Sequence, residues 1–190
     1  GKNHEYPPHK IPLIDYFDFL KSKKVKDILT IYSVGVLHKN WQTPCLAIIE
    51  DFIDFTGEIS TIYERFLKGP VHVSMEQPYH EGYKKKIIEI AKKQKLPVYS
   101  GVYFQTVGPR LETKAEIRAA RKMGADMIGM THSWEAILAK EYGFNLASIG
   151  MGVNHAAGVK EKIKDSEIIE NSEKMSQKLS GLVREFIKQL

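Results

Sequence analysis

Ser33, Thr131 and the glycines near them offer hydroxyl and backbone N–H donors, a set suited to an oxyanion. Asn154 and Glu112 offer the other half of a site. A carboxamide both donates and accepts and a carboxylate accepts, so the pair suits the edge of a flat heterocycle. These residues lie in Tyr32-Ser33-Val34-Gly35, residues 51–56, Gly108-Pro109-Arg110-Leu111-Glu112, Met130-Thr131-His132 and Asn154-His155. Each segment falls where the pattern ends a strand, and ligands of open α/β sheets bind beyond the carboxyl ends of strands. Taken singly, each also has a plainer reading. Gly35 can be a turn glycine, Glu112 a carboxylate satisfied at a helix N-terminus, Asn154 a turn cap and Thr131 a helix cap. His72 and His80 read as surface or interface histidines.

The elements that must position these residues alternate between short β-rich runs and longer helical ones, which implies an α/β layer fold. Strands are expected at 27–36, 45–53, 71–75, 97–107, 126–130 and 144–153, and helices at 12–24, 82–95, 113–123 and 133–142. The stretch 57–70 reads as loop with a short helix. Thr113-Lys114-Ala115-Glu116 is a capping box, and Gly124 and Gly143 follow helix ends. The last 25 residues form an amphipathic helix whose stripe is Ile168, Ile169, Met175, Leu179, Leu182, Val183, Phe186 and Ile187. Packing on the sheet is the plain role for that stripe.

Composition narrows the class. The chain has 190 residues, 43% apolar and 10% aromatic, enough for one sizeable core and too much for disorder. Its net charge of +5 suits an anionic ligand. The lysines lie on solvated helix faces at 84–86, 92–95 and 160–164 without interleaved aromatics, which argues against nucleic acid. The single Cys excludes a disulfide framework and most zinc sites, so no metal is expected and a reduced, cytoplasmic setting is the default. The best apolar run, 28–37, is too short to span a membrane. No signal peptide is visible, and the chain opens on Gly1.

In order along the chain, these segments resemble one family. Gly108 to Glu116 is similar to GPRFETxAE, Gly124-Ala125-Asp126-Met127-Ile128-Gly129-Met130-Thr131 to GADxxGMT, and Glu135 to Gly143 to E(V/A)xLAxExG. Ala147-Ser148-Ile149 with Asn154-His155-Ala156-Ala157-Gly158 resembles ASIxxxTNxAAG. Pro7-Pro8-His9-Lys10-Ile11, Val34-Gly35-Val36-Leu37 and Phe52-Ile53-Asp54-Phe55-Thr56 resemble PPHKI, (A/V)GSL and FIDxT. The sequence is thus identified as resembling the trimeric purine nucleoside phosphorylase and methylthioadenosine phosphorylase family across nearly its whole length.

The resemblance implies a single three-layer α/β/α domain over 1–190 with a central mixed sheet, and phosphorolysis of a purine nucleoside or its methylthio form. It implies no cofactor beyond phosphate as co-substrate, and a homotrimer or dimer of trimers with 71–79 at the interface, where His72 and Met75 reach across. By position, Asn154 would face purine N7 and O6, Glu112 the N1 edge, and Leu111 the base. Ser33, Val34 and Thr131 would hold phosphate, and Met130 would pack on ribose. Residues 1–6 resemble GRxHxY with a two-residue deletion, which would make Lys2 and His4 phosphate ligands and Tyr6 a ribose neighbour. A second alignment, through RHGxGH, puts the phosphate Arg-His before Gly1. Several positions depart from the family: Leu111 for the stacking aromatic, Val36 for Ser, His132-Ser133-Trp134 for Thr-Val-Pro, and Ser166 for the His that meets the 5′-hydroxyl. The family's opening strand and Gly-rich phosphate loop have no counterpart here. The expectation is therefore a missing N-terminal segment, an uncovered sheet edge beside 27–36, and weakened catalysis. A purine-binding protein on the same fold that has lost phosphorolysis is the alternative.

Overall fold

Residues 45–54 show how the layers form. In the computed structural model, which describes residues 5–58, 61–66, 69–160 and 165–190, they make strand β2 (Cys45–Asp54). Successive side chains of a strand point to opposite faces. Cys45, Ala47 and Ile49 join one buried cluster with α1 (Leu13–Ser22) and α4 (His132–Tyr142). Leu46 and Ile48 join another with α2 (Glu81–Lys93) and α5 (Asp165–Ile187). Helices thus cover both faces of a mixed sheet, as expected. A smaller cluster beneath α3 (Lys114–Lys122) takes Leu37, Ile117, Ala120 and Ile128.

The strand order is β1 (Asp27–Val36), β4 (Met127–Gly129), β3 (Val98–Gln105), β2, β5 (Asn145–His155), and β5 returns to β1 to close a barrel. β1 and β5 are parallel; so are β2, β3 and β4; the two sets meet antiparallel at β1/β4 and β2/β5. The carboxyl ends of the strands therefore do not share one rim. A register row gathers the site instead: Asn154 faces Gly35, Gly35 faces Ile128, Ile128 faces Phe104 and Phe104 faces Ile53. Beside that row Val34 faces Gly152 and Gly35 faces Asn154, so Val153 is bulged out of register. Such bulges re-aim neighbouring side chains. On its other side β1 pairs β4 only at Gly35 and Val36.

Three expectations are corrected. Residues 71–75 form no strand: their alternation finds no partner strand, and the segment is tied down by buried Tyr79 and by His80 N–H donating to Leu146 O at 2.7 Å. The described residues of 57–70 form no helix, because Thr61 Oγ1 and Ile62 N–H donate to the Glu141 carboxylate at 2.7 and 2.8 Å. The buried stripe of α5 is narrower than expected, running through Met175, Leu179, Leu182 and Phe186, with Ile169 and Ile187 both 60% exposed. No described helix is long and apolar enough to cross a membrane.

Candidate active site

β3 delivers the turn that carries Glu112. Gly108 sits at φ +68°, and a Cβ there would lie 2.4 Å from Met130 Sδ. Only glycine lets Met130 close on this turn. The capping box forms as expected: Thr113 accepts from Glu116 N–H, and Glu116 accepts from Thr113 N–H at 2.7 Å. Arg110 forks onto the same carboxylate at 2.9 and 2.7 Å. Arg110, with the Thr113 amide, holds the exposed Glu116 carboxyl down at about 2. Thr113 and Glu116 thus cap α3, and Glu112 stands outside the cap. Its Oε1 lies 2.7 Å from the Thr106 hydroxyl, which is also 3.2 Å from Gly129 O. A cleft of about 250 Å³ opens here between Thr56, Phe104, Gly108 and Glu112. Leu111 is 68% exposed.

Asn154 is fixed from both flanks. Asn171 of α5 donates its amide to Val153 O, the bulged residue, at 2.7 Å. His155, buried, sets Nε2 3.1 Å from Trp41 O and Nδ1 3.4 Å from Thr43 Oγ1. Asn154 Nδ2 donates to His155 O at 3.0 Å. A carboxamide has two donor hydrogens and an acceptor oxygen, and Oδ1 and the second N–H have no hydrogen-bond partner among the described residues.

Thr131 lies across from this group, just before α4. Its side chain makes no capping bond, so the helix-cap reading does not hold and the hydroxyl is not spent on the helix. Its N–H reaches Tyr103 Oη at 3.4 Å. Gly129 permits that approach, since a Cβ there would lie 2.3 Å from Tyr103 Oη. Ser133 N–H donates to Gln105 Oε1 at 3.0 Å and Ser133 Oγ to Asp54 Oδ2 at 2.5 Å. Asp54 also accepts from Thr56 Oγ1 at 2.7 Å. The Ser133 N–H and hydroxyl are thus both taken up within the protein. Next to Thr131, His132 is fully buried, with Nε2 2.6 Å from Tyr79 Oη. Burial pushes its pKa down to about 3. Tyr32 Oη donates to Glu135 Oε2 at 2.7 Å, and burial raises that carboxyl.

Met130, next to Thr131, thus packs against the turn that leads to Glu112, and Asn154 stands on the register row that runs through Gly35 to Ile128, two residues before Met130. Ser33 is exposed on β1, while the Val34 side chain is buried in the core, so Val34 can offer only backbone. Tyr6, His72 and Ser166 are exposed, and no hydrogen bond among the described residues joins them to the group. Lys2 and His4 lie outside the described residues. The residues missed from sequence are supports: Tyr103, Asn171, Tyr79 and His132. Asn171 left a signal, a carboxamide in step with Met175 and Leu179 on an apolar helix face.

The sequence matches the phosphorylase superfamily over residues 7–188. It is 39% identical to a probable 6-oxopurine nucleoside phosphorylase of Archaeoglobus fulgidus, over all of this chain and 76% of that protein. It is 35% identical to a probable S-methyl-5'-thioinosine phosphorylase of Methanopyrus kandleri, over 98% of this chain and 73% of that one. It is 34% identical to the S-methyl-5'-thioadenosine phosphorylase of Pyrococcus abyssi, over 98% and 72%. In fold it resembles the methylthioadenosine phosphorylase of Schistosoma mansoni in complex with adenine, with a TM-score of 0.91 and 24% identity over all of this chain and 74% of that one. With the motif segments gathered on one register row of that fold, the chain belongs to the phosphorylase superfamily, alongside the purine nucleoside and methylthionucleoside phosphorylases.

Proposed function

We propose that the protein is a purine nucleoside phosphorylase acting on 6-oxopurine nucleosides, the 5′-methylthio form included. A phosphate oxygen attacks ribose C1′ and the C1′–N9 bond breaks. Its electron pair leaves with the purine, which takes a proton at N7. The products are free base and ribose 1-phosphate or its 5-methylthio derivative. Phosphate is the co-substrate, and the chemistry calls for no other cofactor. The transition state is oxocarbenium-like, so the site must hold phosphate under C1′ and stabilise charge on the departing base.

In this reading Asn154 and Glu112 are the catalytic pair, and Leu111 covers the base. Ser33, the Val34 backbone and Thr131 hold phosphate, with Lys2 and His4. Met130 and Tyr6 line the ribose. Ser166, and His72 reaching from a neighbouring copy, line the 5′ side of a homotrimer or dimer of trimers. The protein works in the cytoplasm as one domain over 1–190.

The observation that carries the reading is the hold on Asn154, whose amide bond to His155 O at 3.0 Å leaves one acceptor and one donor without a partner among the described residues. That pair matches N7–H and O6 of a 6-oxopurine. Aspartate there would instead accept from a 6-amino group. Phosphorolysis of inosine, 5′-methylthioinosine and methylthioadenosine tests this. The 6-oxopurine substrates should be cleaved faster, and Asn154→Asp should shift preference to methylthioadenosine. Faster cleavage of methylthioadenosine by the wild type overturns the base assignment.

A further inference from the structure

His132 directly follows Thr131 in the chain. It is the first residue of α4 and fully buried. Four rings surround its imidazole. Tyr32 and Tyr103 stand edge-on at 5.0 and 4.9 Å, Phe52 edge-on at 6.1 Å, and Tyr79 lies stacked at 5.7 Å. Three of those rings belong to segments that matter elsewhere. Tyr32 precedes Ser33, Tyr103 holds the Thr131 N–H, and Tyr79 ends the segment that carries His72 and Met75.

The hydrogen bond between Tyr79 and His132 joins two buried, uncharged groups. The buried imidazole is neutral, its pKa pushed down by desolvation. Tyr79 is only 5% exposed and burial raises its phenol, so it keeps its proton. Tyr79 Oη and His132 Nε2 therefore share a hydrogen bond between two neutral groups at 2.6 Å. Nδ1 itself is buried and has no partner among the described residues. The remaining titratable groups around the ring do not compete for Nε2, since Glu135 is taken by Tyr32, and Tyr103 Oη faces Thr131. An apolar residue of the same shape would fill the space between the rings. It would not hold Tyr79, and it would leave a buried hydroxyl unpaired.

We propose that His132 is a positioning residue for phosphate: through its hydrogen bond to Tyr79 and its ring contact with Tyr32 it locks the 71–80 segment and the Ser33 strand onto the Thr131 turn, so that the hydroxyls of Ser33 and Thr131 stand at a set separation before phosphate arrives. This rests on the phosphorylase reading above. A histidine that only filled space would affect stability and leave phosphate binding alone.

The test uses the full chain as wild type, His132→Phe, His132→Gln, Tyr79→Phe and the double variant with Phe at both positions. Three quantities are measured: Kd for inorganic phosphate by calorimetry, KM for phosphate against kcat and nucleoside KM, and Tm. His132→Phe and Tyr79→Phe should each raise phosphate Kd and KM by about five-fold or more, and the double variant should be no worse than the weaker single, as expected of partners in one bond. His132→Gln, which restores a hydrogen-bonding group able to donate or accept, should recover most of the loss. Unchanged phosphate Kd in both single variants, with only Tm lowered, overturns the proposal. If His132→Phe does not fold, Tyr79→Phe decides, because it removes a single hydroxyl. A wild type that binds phosphate but cleaves no purine nucleoside defeats the phosphorylase reading, and the calorimetric comparison still judges His132. A wild type that does not bind phosphate defeats both.

Discussion

The two halves of the site are supported by opposite means. Around Thr131 the supports are buried rings: Tyr103 and His132 are inaccessible, and Tyr79 nearly so. Around Glu112 the turn is pinned by an exposed Arg110–Glu116 pair, and Leu111 is 68% exposed. Burial makes a support rigid and ties it to the stability of the whole chain. An exposed contact is cheap to lose for folding and expensive only for the ligand it touches. Stability and ligand recognition should therefore separate by side.

The strongest test of that separation is Tyr103→Ala. It removes a fully buried ring that faces His132 and holds the Thr131 amide. The expected loss is about 3–5 kcal/mol by urea denaturation, the range for buried aromatics cut to alanine. A loss below about 1 kcal/mol, the size of an ordinary substitution, would break the comparison.

A smaller effect is expected from pH. Unfolded His132 titrates near its ordinary 6.5 and the folded residue near about 3. Below 6.5 the unfolded chain takes up a proton that the folded chain refuses, so this contribution to stability is complete above 6.5 and declines as pH falls towards 3. One proton corresponds to about 1.4 kcal/mol per pH unit. Glu135 acts in the other direction: its raised pKa keeps a proton on the folded state above the ordinary 4.5, so its contribution declines as pH rises. Measuring wild type against His132→Gln removes Glu135 from the difference. Between these limits the wild type should lose about 1.4 kcal/mol per unit more than the variant on acidification. Parallel curves would mean that the buried imidazole is already charged.

The smallest effect on stability belongs to Leu111→Ala, within about 0.5 kcal/mol of wild type, as for surface positions generally. Nucleoside KM should nevertheless rise, because Leu111 covers the base in the proposed reading. A stable variant with unchanged KM would take Leu111 out of the site. A destabilised one would place it with the buried half.

What the sequence displayed was what neighbours along the chain decide. The α3 cap needs only Thr113 and Glu116, three residues apart, and both halves of it form. The alternation along β2 needs only its own residues. Asn154, Glu112, Met130 and Thr131 stood out because several collinear motifs carried them. The barrel did not, since no local period states that β5 turns back to pair β1. The alternation at 71–75 misled for the same reason: a strand exists only where a partner strand lies beside it. The surroundings of His132 were hidden further still, because Tyr32, Phe52, Tyr79 and Tyr103 come from four separate stretches and meet only in the folded chain.

The pairing of β1 with β5 also governs how the chain reaches its fold. Thr30 and Ser148 share a hydrogen bond at 2.9 Å while standing 118 positions apart in sequence. Joining points that distant costs about 4 kcal/mol of chain entropy before any contact repays it. β5 is the last of the described strands, so on a ribosome the other four wait, with Leu46 and Ile48 uncovered by β5 and α5. Release of β5 and α5 completes both the barrel and its outer cover in one late step. Sheets built from such distant pairs fold in milliseconds to seconds, not microseconds. The bulge beside Asn154 lies on that late strand, so the setting of Asn154 appears only when β5 is in place.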